Sequence, residues 1–104
     1  MSMLKIVVMP VKNEEWILEK SLTAASLWAD HIVVADQQST DATAEICQRF
    51  SKVTRIINDC PQLDQSYARQ LLLTTVRQKF GTDTIIAALD ADEVFSANVL
   101  NDKD

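Results

Sequence analysis

The chain has 104 residues, 47% of them hydrophobic, enough for one globular domain spanning 1–104 and too few for two. Ten Lys and Arg stand against fifteen Asp and Glu, a net charge of −5. A nucleic-acid backbone would be repelled, because such binding is driven by clustered Lys and Arg, whereas a divalent cation could reconcile these carboxylates with a phosphorylated ligand.

The first apolar run, Ile6 to Met9, is stopped by Pro10, Lys12, Asn13 and Glu14, well short of a signal-peptide core or a membrane span. Like Ile32 to Ala35, Val53 to Ile57 and Thr84 to Leu89, it is apolar on successive positions, the pattern of a strand covered by helices on both faces. Between these runs the period changes to that of a helix. Leu18, Leu22, Ala25 and Trp28 form one stripe; Thr43, Cys47 and Phe50 form a second; Ala68, Leu71, Leu72, Thr75, Val76 and Phe80 form a third. Asn13 is placed to cap the first helix and Thr40 or Asp41 the second, and Gly81 to end the third. Trp16 and Trp28 read as packing residues on helix faces.

The order is β-α-β-α-β-α-β, which predicts an α/β, Rossmann-like parallel sheet with flanking helices joined by right-handed crossovers. The single Gly excludes the Gly-rich dinucleotide fingerprint and the P-loop. Cys47 and Cys60, with one His in the chain, make neither a zinc pattern nor a disulfide framework and read as small buried or half-buried hydrophobes. A reducing, cytoplasmic setting follows as the expectation, and attachment to a membrane through a longer parent protein is compatible with it.

Ligands of open α/β sheets sit outside the carboxyl ends of the strands. The residues after the first, second and fourth runs are polar: Pro10 to Glu14, Asp36 to Asp41, and Asp90-Ala91-Asp92-Glu93. Asp90 and Asp92, two apart on extended chain, point the same way, and two such carboxylates repel unless a cation or a proton lies between them. Oxygen donors suit Mg²⁺ or Mn²⁺. Taken singly each residue also has a plainer role: Asp90 ending a strand, Asp92 or Glu93 capping a helix, Asp36 making an Asx-turn, Arg69 a solvated charge on the third helix. Asp36 is expected to project into the same crevice as Asp90, and three acidic strand ends on one rim are harder to explain as caps than any one of them.

The segments Met9-Pro10-Val11-Lys12-Asn13-Glu14, Val33 to Thr43, Tyr67-Ala68-Arg69-Gln70 and Leu89-Asp90-Ala91-Asp92-Glu93 resemble, in order and separation, the GT-A glycosyltransferases of family 2. The likeness is nearest to the branch of lipopolysaccharide-core and cell-envelope glucosyltransferases. It implies a GT-A nucleotide-diphospho-sugar transferase fold cut short after the Asp-x-Asp motif, with Pro10, Val11, Asn13 and Glu14 lining the pocket of the nucleotide base and Asp36 accepting a hydrogen bond from that base. Arg69 would reach the diphosphate, Asp90 would contact the ribose or assist the metal, and Asp92 would ligate a bridging Mg²⁺ or Mn²⁺. The implied reaction moves a sugar from a nucleoside diphosphate, expected to be UDP, to an acceptor hydroxyl, usually with inversion.

Two features depart from the family. Gln37 and Gln38 stand where Asp or Asn and then Gly are usual, and Ala42 stands where Gly is usual, so any positive φ in this loop would cost more. The general base of such enzymes lies beyond the Asp-x-Asp motif and is expected outside this chain. A non-catalytic nucleotide-binding or interaction module derived from a glycosyltransferase is the competing reading, and an exposed sheet edge would favour self-association. A receiver-like domain is set aside, because its acidic pair follows the first strand, where this chain has Val11 and Lys12.

Overall fold

A computed structural model describes residues 3–62 and 64–91. The elements run β1 (Leu4–Val11), α1 (Glu15–Ser26), β2 (His31–Asp36), α2 (Thr43–Gln48), β3 (Val53–Ile57), α3 (Gln65–Phe80) and β4 (Thr84–Ala88). The sheet is wholly parallel in the order β3-β2-β1-β4. The expected α/β architecture is present, as a parallel sheet flanked by helices.

Chain order and sheet order together fix where the helices lie. From β1 the chain steps through β2 to β3 in one direction, then returns past them to add β4 on the far side of β1. Crossovers of a single hand that extend a sheet in opposite directions must cover opposite faces. Accordingly Leu18, Leu22 and Ala25 of α1 and Ile46 and Cys47 of α2 pack with Val7, Met9, Ile32 and Val34 on one face. Leu72 and Val76 of α3 pack with Ile6, Val8, Val33 and Ala35 on the other. The strand order reverses between β1 and β4, which makes that junction the switch point at which α/β sheets bind ligands.

Only the two central strands are covered on both faces as the sequence pattern predicts. In β3 and β4 Ile57 is 50% and Ile85 55% exposed, because each is an edge strand with its outer face only partly covered. Trp28 is half-buried against the core, whereas Trp16 is 72% exposed at the start of α1, so its expected packing role is not seen.

The caps differ from expectation at α1. Asn13 lies at φ 51°, in the left-handed region, and the residue before the helix is Glu14, which makes no side-chain capping bond. The turn that places Asn13 in this conformation sends its carboxamide across to the loop after β2, where Oδ1 accepts from the Thr40 amide at 2.7 Å. The Ser39 hydroxyl accepts from the Asn13 amide at 2.8 Å. Asp41 serves both helices: Oδ2 accepts from the Glu15 amide at 3.2 Å and Oδ1 from the Thr43 amide at 3.0 Å and from the Thr43 hydroxyl. One orphan N–H of α1, that of Glu15, is thus met by an acid 26 residues away in sequence. At α3 Asp64 caps through the Tyr67 amide at 3.1 Å, and Gly81, at φ 82°, ends the helix as its flexibility allows.

No helix among the described residues is long and apolar enough to cross a membrane. Cys47 and Cys60 are free thiols.

Candidate functional site

A cavity of about 570 Å³ opens at the carboxyl ends of β1 and β4 under the first turns of α3, within the range of small-molecule sites. Strand alternation decides which side chains reach it. Ile6 and Val8 face α3, so Pro10 and Lys12 follow on that side; Ile86 faces α3, so Ala88 and Asp90 follow. In β2 the α3 face carries Val33 and Ala35, and the next residue of that parity is Gln37. In β3 it carries Ile56 and then Asn58.

Of the residues expected in the site, the cavity brings together Pro10, Val11, Glu14, Arg69 and Asp90. Asn13 is not in its lining, being tied to Ser39 and Thr40. Asp92 lies outside the described residues, as does Glu93.

Asp36 corrects the expectation of a shared crevice. It shares the parity of Ile32 and Val34 and therefore points to the α1 and α2 face, away from Asp90. There it is fully buried: Oδ2 accepts from Arg55 Nε and Nη2, both at 2.8 Å, and Oδ1 accepts from the Ser39 amide at 2.9 Å. A buried carboxylate is tolerated only when paired and hydrogen-bonded, and Asp36 is both. The Arg55 side chain is 31% exposed, so its outer edge stays in water. This pair, the Ser39 amide and the Asp41 contacts knit the β2–α2 loop to its neighbours.

Asp90 is fixed by what flanks it. The Leu89 amide donates to the Val8 carbonyl at 3.0 Å, extending the β1–β4 ladder by one residue. Ala91 is buried and its carbonyl accepts from the Ser21 hydroxyl of α1. With the chain held on both sides, the Asp90 side chain is directed to the cavity.

The cavity also contains Gln37, which the sequence marks only as a departure from the family pattern, and Lys12, Asn58, Asp64 and Gln65, to which it assigns no site role. Lys12 stood inside a noted motif without being singled out. Asn58 ends the third strand, and applying the strand-end rule there as elsewhere would have found it. Chemically the site offers two cationic side chains, Lys12 and Arg69, together with the carboxylates of Glu14, Asp64 and Asp90 and the carboxamides of Gln37, Asn58 and Gln65. Such a set can hold an anion by Lys and Arg, a cation by carboxylates, and a heteroaromatic edge by amides. Among the described residues no three His, Cys, Asp or Glu side chains converge on one point.

The sequence pattern of the glycosyl transferase family 2 matches residues 6–102, nearly the whole chain. The chain belongs to glycosyl transferase family 2. A structure similar to this family 2 chain is that of glucosyl-3-phosphoglycerate synthase from Mycobacterium tuberculosis, in complex with Mn²⁺, uridine diphosphate and glucosyl-3-phosphoglycerate. The two share 23% identity with a TM-score of 0.62, over 86% of this chain and 33% of that enzyme. The family 2 chain therefore has the same fold as a third of that enzyme's length. No curated protein matches it.

Proposed function

We propose that this chain is the donor-binding part of a metal-dependent glycosyltransferase that takes its sugar from a nucleoside diphosphate, UDP in the first place. The observation that carries the reading is the convergence of Lys12, Arg69 and Asp90 on one cavity at the switch point of a family 2 domain. The solved enzyme of the same fold, crystallised with UDP and Mn²⁺, supports the choice of nucleotide and cation.

In this reading Pro10, Val11 and Asn58 surround the base, and Arg69 and Lys12 meet the diphosphate. The donor set fits a hard cation: a carboxylate on the cavity wall at Asp90, with Asp92 next but one in sequence, leaves the rest of the shell to water and ligand phosphate. When bound, the Mg²⁺ or Mn²⁺ would stabilise negative charge on the departing diphosphate. The chain's own part is to bind, to orient the two phosphates and to close one side of the donor against water. An acceptor hydroxyl, inversion of the anomeric centre and a base to take the hydroxyl's proton belong to the whole transferase. Consumption of a nucleotide sugar, together with two free thiols, fits a cytoplasmic site, and the branch resemblance points to a cell-envelope glycan as the product.

Calorimetry of the chain with UDP tests the reading. Binding should be tighter with Mn²⁺ than with EDTA, and Asp92→Asn should abolish the difference; equal affinities in all four titrations would overturn it. A protein extended by its natural downstream sequence should release UDP from the donor sugar in the presence of acceptor. Binding without turnover under every metal would favour a module that retains the donor site and has no transferase activity.

A further inference from the structure

Gln37 has an arrangement that neither the family resemblance nor the donor reading uses. Its backbone is held by the sheet, the amide donating to the Val11 carbonyl at 2.9 Å. Its side chain is buried, 7% exposed, and the carboxamide nitrogen donates to two main-chain oxygens, Cys60 at 3.0 Å and Gln62 at 2.8 Å. Both acceptors belong to the connection between β3 and α3, whose described residues form no helix or strand.

That connection is tied at each end. Asn58 is buried, its amide donates to the Asp36 carbonyl at 2.9 Å, and its Oδ1 accepts from the Cys60 amide at 3.0 Å. Asp64 is fixed as the cap of α3. Between these points Gln37 is the cross-link, and the connection supplies Asn58 and Asp64 to the cavity wall. An aspartate in place of Gln37 could not do this, since an ionised carboxylate has no N–H to offer two carbonyls.

We propose that Gln37 is a positioning residue for the donor: its carboxamide clamps the β3–α3 connection in the shape that walls the base end of the cavity. The proposal rests on the donor-site reading for what the wall contacts, and on the two hydrogen bonds for the clamp. The side chain acts through the connection it holds, so its loss should weaken recognition of the nucleoside more than that of the diphosphate.

The test uses the 104-residue chain with Gln37→Met, which keeps the length and removes both donors, and Gln37→Glu, which sets a carboxylate against the two carbonyls. Three quantities are measured: affinity for UDP with Mn²⁺, affinity for inorganic pyrophosphate with Mn²⁺, and amide hydrogen exchange along the chain. Two neutral hydrogen bonds lost should lower UDP affinity about tenfold or more, with pyrophosphate affinity changed less than about twofold. Exchange should quicken within 58–64 and hold elsewhere. UDP affinity equal to that of the unsubstituted chain in both variants would overturn the proposal, as would exchange that quickens throughout while both ligands are lost in parallel. Failure of the unsubstituted chain to bind UDP would instead sink the donor reading, and exchange within 58–64 would then decide the clamp by itself.

Discussion

Arg55→Met removes the partner of a fully buried carboxylate and separates two roles for Asp36, structural and base-binding. In the variant Asp36 keeps only the Ser39 amide, having lost both guanidinium contacts at 2.8 Å. Removing one member of a buried pair costs about 3–5 kcal/mol because the other charge is left uncompensated. Arg55 is 31% exposed, so water can partly replace it and about 2–3 kcal/mol is the expected loss. For a domain of this size that is roughly 10–20 °C in melting temperature. Urea unfolding followed by Trp28 fluorescence, with Trp16→Phe to remove the exposed indole, measures it. Asp36→Asn combined with Arg55→Met should recover part of the loss, since no charge is then left buried. UDP affinity of the folded variants should stay within about threefold of the unsubstituted chain, because the pair lies on the opposite face from the cavity. Unchanged stability, or a large loss of UDP affinity in a variant that remains folded, would refute this placement of Asp36.

Further outcomes follow from the loops and the thiols. Gln38 is exposed at φ 52°, so Gln38→Gly should relieve left-handed strain and, after the entropy cost of glycine, raise stability by about 0.5–1 kcal/mol in thermal melts. Asn13→Gly, at φ 51°, should bring no gain, because the bond to the Thr40 amide is lost with the side chain. At Asp41 slight burial raises the pKa, but the hydrogen bonds from Thr43 and the Glu15 amide outweigh it and hold the carboxyl below its ordinary 3.8. A depressed carboxyl stabilises the fold above its unfolded value and loses that contribution as pH falls through the folded one, so the gap in melting temperature between the unsubstituted chain and Asp41→Asn should narrow below about pH 4; a gap constant with pH would contradict this. Burial, reinforced by Asp36 and opposed by Arg55, pushes the Cys47 thiol up to about 11, so iodoacetamide at pH 8 should label the half-buried Cys60 well before Cys47 in mass spectra of the native chain.

The fold was legible because Ile6 to Met9 and Ile32 to Ala35 are unbroken apolar runs, and only a doubly covered strand needs that. The edge character of β3 had a sign in the sequence, Arg55 in the middle of Val53 to Ile57, whose charge marks a face not wholly covered. For Asp36 local pattern was insufficient. Counting by twos groups it with Ile32 and Val34, but which face receives α3, and hence the cavity, depends on the strand order β3-β2-β1-β4. The same count picks out Gln37, which stands where the family usually has Asp or Asn and whose carboxamide can still donate and accept hydrogen bonds. Asn13 illustrates a different limit. Asn suits both a helix cap and a left-handed turn, and here the choice is made by Ser39, Thr40 and Asp41, brought alongside by the pairing of β1 with β2. The Asp90 position was legible as a strand end; its anchoring by Ser21 through Ala91, 70 residues apart in sequence, was not.

The central claim is that nucleotide and metal meet at the junction of β1, β4 and α3, and a crystal structure of the chain with UDP and Mn²⁺, with anomalous scattering to locate the metal, tests it most directly. The expected density places the diphosphate between Lys12 and Arg69, Mn²⁺ beside Asp90, and the base against Asn58, with Asp36 still bonded to Arg55 and Gln37 still bonded to the Cys60 and Gln62 carbonyls. Nucleotide bound on the α1 and α2 face, or Asp36 swung from Arg55 to contact the base, would contradict it.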